Sequence, residues 1–464
     1  MKIAGLLILG CLILSCNHTD KKIKVHPELA NPPPITPESI RIIPDSIMRI
    51  QVSGGLVDYW LFIPAGLDTA SHAPVVFFAD PAAAGSLPVR LYGSLSEKYG
   101  LILAGSNLSK NGQPANENAR HLAAMVVDVA ARSAIDKNRM CLAGFSGGSR
   151  VASFVALQTG QFQTVIAAGA GMMNPEKTTA ARFYYIGMVG RKDFNYQEML
   201  QQHNQFAHTG LHNDLIIFGG PHEWPPSEAM DKALALMTME SMHGMGEQEV
   251  SLTEKEYRHT LLNDLARLKN EKRFTELKIL YDQGIRNAAG LSRESKWQDA
   301  YEAVLKSVPY KEAEERFGRK ERMERNLMTQ YGALLGEKDA GWWVQEMKML
   351  DAKANNPGQA AEMYSRIIAY VRLAAYMHCD RYVRSNEHEA AHRLLNVYEA
   401  VDPLNPEAAY LKAVVFARQG LVSESVKLLG KSARLGHKKS MGWKEDPEFN
   451  RISRSSLDSL AGGK

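Results

Sequence analysis

The chain has 464 residues, of which 45% are hydrophobic, and its formal net charge at pH 7 is +4. This length fits roughly two or three domains, and the apolar content is ample for packed cores. So small a net charge over so long a chain argues against a nucleic-acid partner and against a polybasic membrane-binding surface.

The N-terminus has the features of a secretory leader. Lys2 supplies a positive charge, and residues 3–14 form an apolar run that is too short to span a membrane. The run ends in Ile-Leu-Ser-Cys, which resembles a bacterial lipobox with Cys16 as the acylated residue. The alternative is an ordinary secretory signal with an incidental cysteine. We predict a signal peptide over residues 1–16 and a protein that lipid chains anchor in the bacterial cell envelope, at the outer membrane and on its periplasmic or surface face.

The segment after the leader, residues 17–45, is polar and contains three consecutive prolines at 32–34. Such a segment cannot bury a core, and we predict that it is an extended tether. Two of the four cysteines, Cys141 and Cys379, lie outside the leader. Their spacing fits neither a disulfide framework nor a metal site, so they are expected to be buried small hydrophobes. No metal and no cofactor are predicted.

Residues 46–245 alternate short β-rich runs with helical stretches, which is the pattern of a mostly parallel α/β sheet. A helix is predicted at 116–133, between the fourth and fifth strands. The eight predicted strands are 47–52, 56–63, 74–79, 101–105, 139–143, 164–169, 183–189 and 215–218.

The fifth predicted strand leads into Gly-Phe-Ser-Gly-Gly at residues 144–148, and an apolar helical stretch follows. A Gly-x-Ser-x-Gly sequence between a strand and a helix is typical of a nucleophile elbow. The tight turn would hold Ser146 in strained backbone, and side chains at Gly144 and Gly148 would collide with the neighbouring strand and helix. Ser146 is therefore the candidate nucleophile, with a chance match as the alternative.

A carboxylate and a histidine follow the last two predicted strands. Asp193 comes directly after the seventh strand and His222 directly after the eighth. Chemistry in open α/β sheets lies beyond the carboxyl ends of the strands, so these loops would bring an acid and a base to Ser146. Asp136 and Asp214 precede their strands and would lie at the opposite edge. The structural alternatives are a helix cap at Asp193 and a surface-loop role for His222.

The chain order Ser146, Asp193, His222 resembles that of the α/β-hydrolase superfamily over residues 46–245. The segment Gly-Gly-Pro-His-Glu-Trp-Pro-Pro at 219–226 makes the small secreted esterases and polyhydroxybutyrate-depolymerase-like proteins the most similar group. The resemblance implies acyl transfer. His222 would take the Ser146 proton as the hydroxyl attacks an ester carbonyl, while Asp193 holds the imidazole.

The resemblance also implies an oxyanion hole. One donor is the backbone N–H of Gly147, the residue after the nucleophile. The second is expected from the loop after the third strand, where relatives commonly carry His-Gly and this chain carries alanines. Pro81 has no N–H, so Ala82 and Ala84 are the candidate donors. The segment at 171–176 is too short for a large lid, which implies an open site. The residues predicted to contact the substrate are Asn107 (or a turn asparagine), Phe145 and Trp224.

Strand signals stop after about residue 245, and residues 246–464 are predicted to be all helical. Residues 387–395 recur as 421–429, so that Ser425 follows Ala391 by 34 positions. A helix–turn–helix period of this length resembles tetratricopeptide repeats, here near 372–436. A plain helical bundle is the alternative. Such repeats commonly bind proteins, so a protein partner is predicted, with stacking against the hydrolase domain as the alternative role.

These features predict an α/β-hydrolase domain followed by an all-α domain in a cell-envelope lipoprotein. The predicted activity is hydrolysis of carboxylic esters through an acyl-enzyme, on a substrate linked to a carbohydrate or polymer. A serine peptidase is the second candidate, because the same triad cleaves amides. The third is an interaction scaffold whose hydrolase domain has lost activity through its altered oxyanion loop. The complete set of Ser146, Asp193 and His222 argues against the scaffold.

Overall fold

A computed structural model describes residues 42–52, 54–67, 72–175, 181–242, 252–288, 294–437, 442–443 and 445–461. The predicted signal peptide, the lipidation residue Cys16 and nearly all of the predicted tether lie outside the described residues. Within the described ranges, no helix is both long enough and apolar enough to cross a membrane. The chain divides into two compact units, the first ending at Arg319 and the second running from Lys320 to Lys464.

The first unit contains an eight-stranded sheet with the order β1-β2-β4-β3-β5-β6-β7-β8. β2 is antiparallel to its neighbours β1 and β4, and the other pairs are parallel. All eight predicted strands are present, with the predicted elbow strand as the fifth, and the α/β-hydrolase fold class is confirmed. The strands are β1 Met48–Val52, β2 Val57–Phe62, β3 Ala73–Ala79, β4 Ile102–Ser106, β5 Ile135–Phe145, β6 Thr164–Ala168, β7 Tyr184–Gly190 and β8 Asn213–Phe218.

Helices cover both faces of this sheet. Successive strand residues point to opposite faces, so Phe77 lies in one apolar cluster and Phe78 in the other, both fully buried. Burial on both faces explains why β3, β4, β6 and β7 are continuous apolar runs in the sequence. The helices of this unit are α1 Ser86–Leu91, α2 Gly93–Tyr99, α3 Ala115–Arg132, α4 Gly147–Thr159, α5 Tyr196–Phe206, α6 Ser227–Met242, α7 Leu252–Asn270, α8 Phe274–Ala288 and α9 Glu294–Lys306.

Helices α7 and α8 follow the predicted domain boundary at residue 245, yet they pack in the unit that contains the sheet. The Arg191 guanidinium, directly after β7, donates to Glu276 of α8 with an Nε–Oε1 distance of 2.8 Å. Arg286 of α8 pairs with the buried carboxylate of Asp214 on β8. The apolar cluster that includes β6 and β7 also contains five buried side chains of these helices: Tyr257, Leu261, Leu265, Leu268 and Leu277.

The described residues of the second unit form helices and connecting turns, with no strand among them. Helix α10, Val308–Glu337, begins in the first unit and ends in the second. Ala391 and Ser425 are each the fourth residue of their helix, and both are fully buried. This equivalence matches the 34-residue period, while the tetratricopeptide assignment stays a prediction. The remaining helices are α11 Ala340–Ala354, α12 Gln359–Arg384, α13 His388–Val401, α14 Pro406–Arg418, α15 Val422–Arg434 and α16 Arg454–Ala461.

Both cysteines outside the leader have free, buried thiols, Cys141 on β5 and Cys379 on α12. Burial raises the pKa of both thiols, that of Cys379 to about 12. We therefore expect residues 17–464 to react with a disulfide reagent at pH 8 only after unfolding in guanidinium, because the reactive thiolate is scarce and shielded. Labelling of either cysteine in the native protein, at the rate of an unfolded control, would contradict this burial.

Candidate active site

The candidate nucleophile stands on a strained turn between β5 and α4. Ser146 has φ 52° and ψ −121°, a conformation that costs a non-glycine residue about 1–3 kcal/mol. A Cβ on Gly144 would lie 2.2 Å from the carbonyl oxygen of Gly148. A Cβ on Gly148 would lie 2.0 Å from the carbonyl oxygen of Ala79. The strained turn and the need for both glycines are therefore as predicted.

The structure brings Ser146, Asp193 and His222 together at the carboxyl ends of β5, β7 and β8. Ser146 Oγ lies 2.9 Å from His222 Nε2, and His222 Nδ1 lies 2.9 Å from each carboxylate oxygen of Asp193. Asp193 is buried and also accepts the backbone N–H of Asn195 at 2.8 Å. Because a carboxylate only accepts, the proton of the neutral imidazole lies on Nδ1, which leaves Nε2 to accept the Ser146 proton.

Two aromatic rings hold the imidazole in this orientation. The centroids of the Phe145 and Phe194 rings lie 4.7 and 4.2 Å from that of His222. Phe145 is buried and so supports the base, although it was predicted to contact substrate. Gly169 has φ +66°, and a Cβ there would lie 2.7 Å from the Phe145 ring and 3.2 Å from Asp193 Oδ2. The sequence analysis missed Phe194 and Gly169. Of these two residues, only Phe194 carried a signal in the sequence: its position directly after Asp193 could have indicated that it packs on the His222 ring.

The first oxyanion donor is available at the start of α4. Within the described residues, the backbone N–H of Gly147 has no acceptor. The first N–H groups of a helix are left unpaired and carry its positive end, which stabilises a negative charge placed next to them. Gly147 can therefore serve as predicted from its place after the nucleophile.

The two alanine N–H groups predicted as the second donor are already engaged within the loop after β3. The N–H groups of Ala82 and Ala84 donate to Asp80 Oδ1 at 2.8 and 3.2 Å, and the Ala83 N–H donates to the Asp80 carbonyl at 3.1 Å. Pro81 has no N–H. The prediction that Ala82 or Ala84 binds the oxyanion is contradicted, because the Asp80 carboxylate already accepts from both groups.

The Trp224 side chain connects the loop after β3 to the segment that carries His222. Its indole N–H donates to Asp80 Oδ2 at 2.8 Å, and its ring packs against Phe145, Phe78 and Tyr92. Trp224 is only 7% exposed. The predicted substrate contact of Trp224 is thus replaced by a structural one, since the side chain lies among buried rings and binds a buried carboxylate.

Replacing Trp224 by phenylalanine tests this assignment. The variant keeps an aromatic ring but leaves one oxygen of Asp80 without its donor. We expect a loss of about 1.5–3 kcal/mol in the free energy of unfolding, the range for a hydrogen bond to a charged group. Denaturant unfolding measures the loss. A stable variant whose KM rises more than tenfold would instead indicate that the indole binds substrate.

Asn107 donates two hydrogen bonds to Asp58 of β2. Its Nδ2 donates to Asp58 Oδ1 at 2.7 Å, and its backbone N–H donates to the Asp58 carbonyl at 2.9 Å. Arg49 donates to the same carboxylate, and this hydrogen bond lowers the pKa of Asp58. Asn107 is therefore a turn residue that joins the ends of β2 and β4, which is the alternative noted from the sequence.

A cavity of about 470 Å³ opens at the other edge of the sheet, near the amino ends of β3, β5 and β7. Its lining includes Pro74, Asn138 and Phe183, and no triad residue. Ligands of open α/β sheets bind beyond the carboxyl ends of the strands, so the triad edge, rather than this cavity, is the candidate active site.

No family model matches the chain, and no curated protein matches it. Among solved structures, it is similar to fluorophosphonate-binding serine hydrolase F of Staphylococcus aureus, at 13% identity and a TM-score of 0.36, covering 42% of this chain and 98% of that chain. S-formylglutathione hydrolase of S. aureus is 13% identical with a TM-score of 0.35, covering 41% of this chain and 96% of that chain. Acylaminoacyl peptidase of Pyrococcus horikoshii is 14% identical with a TM-score of 0.34, covering 45% of this chain and 43% of that chain. At such low similarity, the fold assignment rests on the strand order and the site assignment on its own geometry.

Proposed function

We propose that this protein is a serine hydrolase that cleaves carboxylic esters through an acyl-enzyme. The observation that carries the proposal is the hydrogen-bonded line from Ser146 through His222 to Asp193, with the serine on a strained elbow. A buried carboxylate, an imidazole protonated at Nδ1 and a serine hydroxyl hydrogen-bonded to that imidazole are the three groups that nucleophilic acyl transfer requires.

In the first half-reaction, Ser146 Oγ attacks the ester carbonyl while His222 Nε2 takes the hydroxyl proton. The carbonyl oxygen becomes negative and accepts the Gly147 N–H, while Asp193 stabilises the imidazolium. The tetrahedral intermediate collapses, the carbon–oxygen bond to the alcohol breaks, and His222 protonates the departing alkoxide. In the second half-reaction His222 activates a water, which attacks the acyl-enzyme and regenerates Ser146.

The leaving group favours an ester over an amide as the substrate. An alkoxide leaves more easily than an amine, so an ester needs less transition-state stabilisation from the oxyanion site. The N–H groups of Ala82 and Ala84 are engaged with Asp80, and the Gly147 N–H is the backbone donor that remains at this site. Ester substrates on a carbohydrate or polymer suit the open site expected from the sequence.

The test uses residues 17–464 with p-nitrophenyl acetate and butyrate, a matched p-nitroanilide and a fluorophosphonate probe. We expect ester turnover and covalent labelling, both absent in Ser146→Ala. Preferential cleavage of the anilide would favour the peptidase. If the wild-type protein showed no turnover and no labelling, the enzyme hypothesis would be rejected and the interaction scaffold favoured.

We further propose that Cys16 carries the lipid that holds the protein in the cell envelope. The proposal is supported by the apolar run at 3–14 and the Ile-Leu-Ser-Cys sequence at its end. The variant Cys16→Ser should move the full chain from the membrane fraction to the soluble fraction, while the matched control Cys11→Ser should stay with the membrane. Membrane retention of Cys16→Ser would contradict lipid anchoring at this residue.

A further inference from the structure

The oxyanion site lacks the second backbone donor that the sequence predicted. Over residues 81–84 the loop after β3 consists of a proline and three alanines whose N–H groups all donate to Asp80. Gly147 is left as the one donor so far identified beside Ser146. A triad with a single oxyanion donor is a poor catalyst, which makes the side chains next to Gly147 the candidates for a further donor.

The side chain of Asn111 occupies that place. A Cβ built on Gly147 would lie 1.8 Å from Asn111 Oδ1, 2.7 Å from its Cγ and 3.1 Å from its Nδ2. The terminal amide of Asn111 therefore lies directly against the residue whose N–H is the first donor. A glycine at position 147 leaves the space that this amide fills.

The backbone holds Asn111 beside the loop after β3. Its N–H donates to the Pro81 carbonyl at 2.9 Å, and the adjacent Lys110 forms a bridge with Ala82. The terminal amide itself makes no hydrogen bond to any described residue, and Asn111 is exposed to solvent. A fixed backbone thus presents a free amide next to Gly147, the residue after the nucleophile, where a substrate from solvent can reach it.

We propose that Asn111 completes the oxyanion hole through its side-chain Nδ2–H, in place of the missing backbone donor. The inference rests on the proposed ester hydrolysis. As Ser146 attacks, the carbonyl oxygen gains negative charge and accepts from the Gly147 N–H and from Asn111 Nδ2. A half-turn of χ2 exchanges Oδ1 and Nδ2, and the negative oxygen favours the orientation that points the NH₂ group toward it.

The first test compares Asn111→Ala and Asn111→Asp with the wild type, using p-nitrophenyl butyrate and residues 17–464. We expect kcat to fall by a factor of about 10²–10³ with little change in KM, because the contact strengthens in the transition state. Asn111→Asp has the same shape but an ionised oxygen, so its loss should be at least as large and should shrink as the pH falls. Lys110→Ala is the matched control in the same loop and should retain wild-type turnover.

Fluorophosphonate labelling separates this proposal from the proposed function. Both Asn111 variants should still be labelled at Ser146, which shows an intact triad. Turnover within threefold of the wild type in Asn111→Ala would overturn the role of Asn111 and leave the esterase standing. Absence of Ser146-dependent turnover in the wild type would overturn both.

The variant Gly147→Ala independently tests the contact between Gly147 and the Asn111 amide. The backbone at Gly147 is helical, and the added methyl meets only the far end of a flexible side chain, so the fold should survive while the Asn111 amide is displaced. We expect Gly147→Ala to lose about as much kcat as Asn111→Ala, and the double variant to lose no more than either. Losses that multiply in the double variant would show that the two residues act independently and would contradict the proposal.

Discussion

Replacing Ser146 by alanine is expected to lower kcat for p-nitrophenyl esters by about 10⁶-fold, the scale of loss for a serine nucleophile. The side chain stands clear of the core, and its hydroxyl has one hydrogen-bond partner, His222 Nε2, among the described residues. Removing it should therefore leave the fold intact. Steady-state kinetics and the unfolding midpoint of the two proteins are the measurements.

Two controls sharpen this expectation. His222→Ala should lower kcat by about the same factor as Ser146→Ala. The double variant should have a kcat only slightly lower than either single variant, because the two residues act as one unit. Ser146→Gly should be more stable than Ser146→Ala by about 1 kcal/mol, since only glycine adopts φ 52° and ψ −121° without strain. Turnover near the wild-type level in Ser146→Ala would reject the triad.

A chain that ends at residue 245 is expected not to fold. Truncation removes α7 and α8. Five of their side chains belong to the apolar cluster that includes β6 and β7, and each is at most 7% exposed. Burial of one such side chain contributes about 1.5–3 kcal/mol, so their sum rivals the 5–15 kcal/mol stability of a typical domain. Truncation also leaves the buried Asp214 without Arg286, and an unpaired buried charge costs about 3–5 kcal/mol more.

The matched control is residues 17–319, which ends where the compact unit ends and keeps both helices. We expect this fragment to unfold cooperatively and to hydrolyse p-nitrophenyl esters, while residues 17–245 aggregate. Circular dichroism and size-exclusion chromatography distinguish the two. A monomeric fragment 17–245 with a cooperative transition would show that the predicted boundary at residue 245 is a true domain limit.

The sheet could be predicted from the sequence because most of its strands are buried on both faces. These strands are short apolar runs, and the loops between them carry the polar and small residues. The residues Ser146, Asp193 and His222 could be found because each follows the end of a parallel strand, and such ends share one edge of the sheet. Their positions follow from strand order alone.

The second oxyanion donor could not be predicted, since it depends on loop conformation. Nothing in the sequence indicates that Asp80 accepts from the next alanines, or that Trp224, 144 positions away, binds the same carboxylate. The amide of Asn111 beside Gly147 is likewise a contact between distant loops. The packing of α7 and α8 was missed for a similar reason: periodicity shows that a helix has an apolar face but not which surface that face covers.

The ion pair between Arg191 and Glu276 has a consequence for how such chains diversify by recombination. Arg191 stands two residues before Asp193, and its partner lies 85 positions downstream on α8. Consider a recombination event that joins the sheet segment to an unrelated C-terminal region. The product would keep Ser146, Asp193 and His222 but would lose the ion pair that supports the loop carrying Asp193. The sheet and its first downstream helices are therefore expected to be inherited together, as one module, while exchange beyond residue 319 leaves that ion pair untouched.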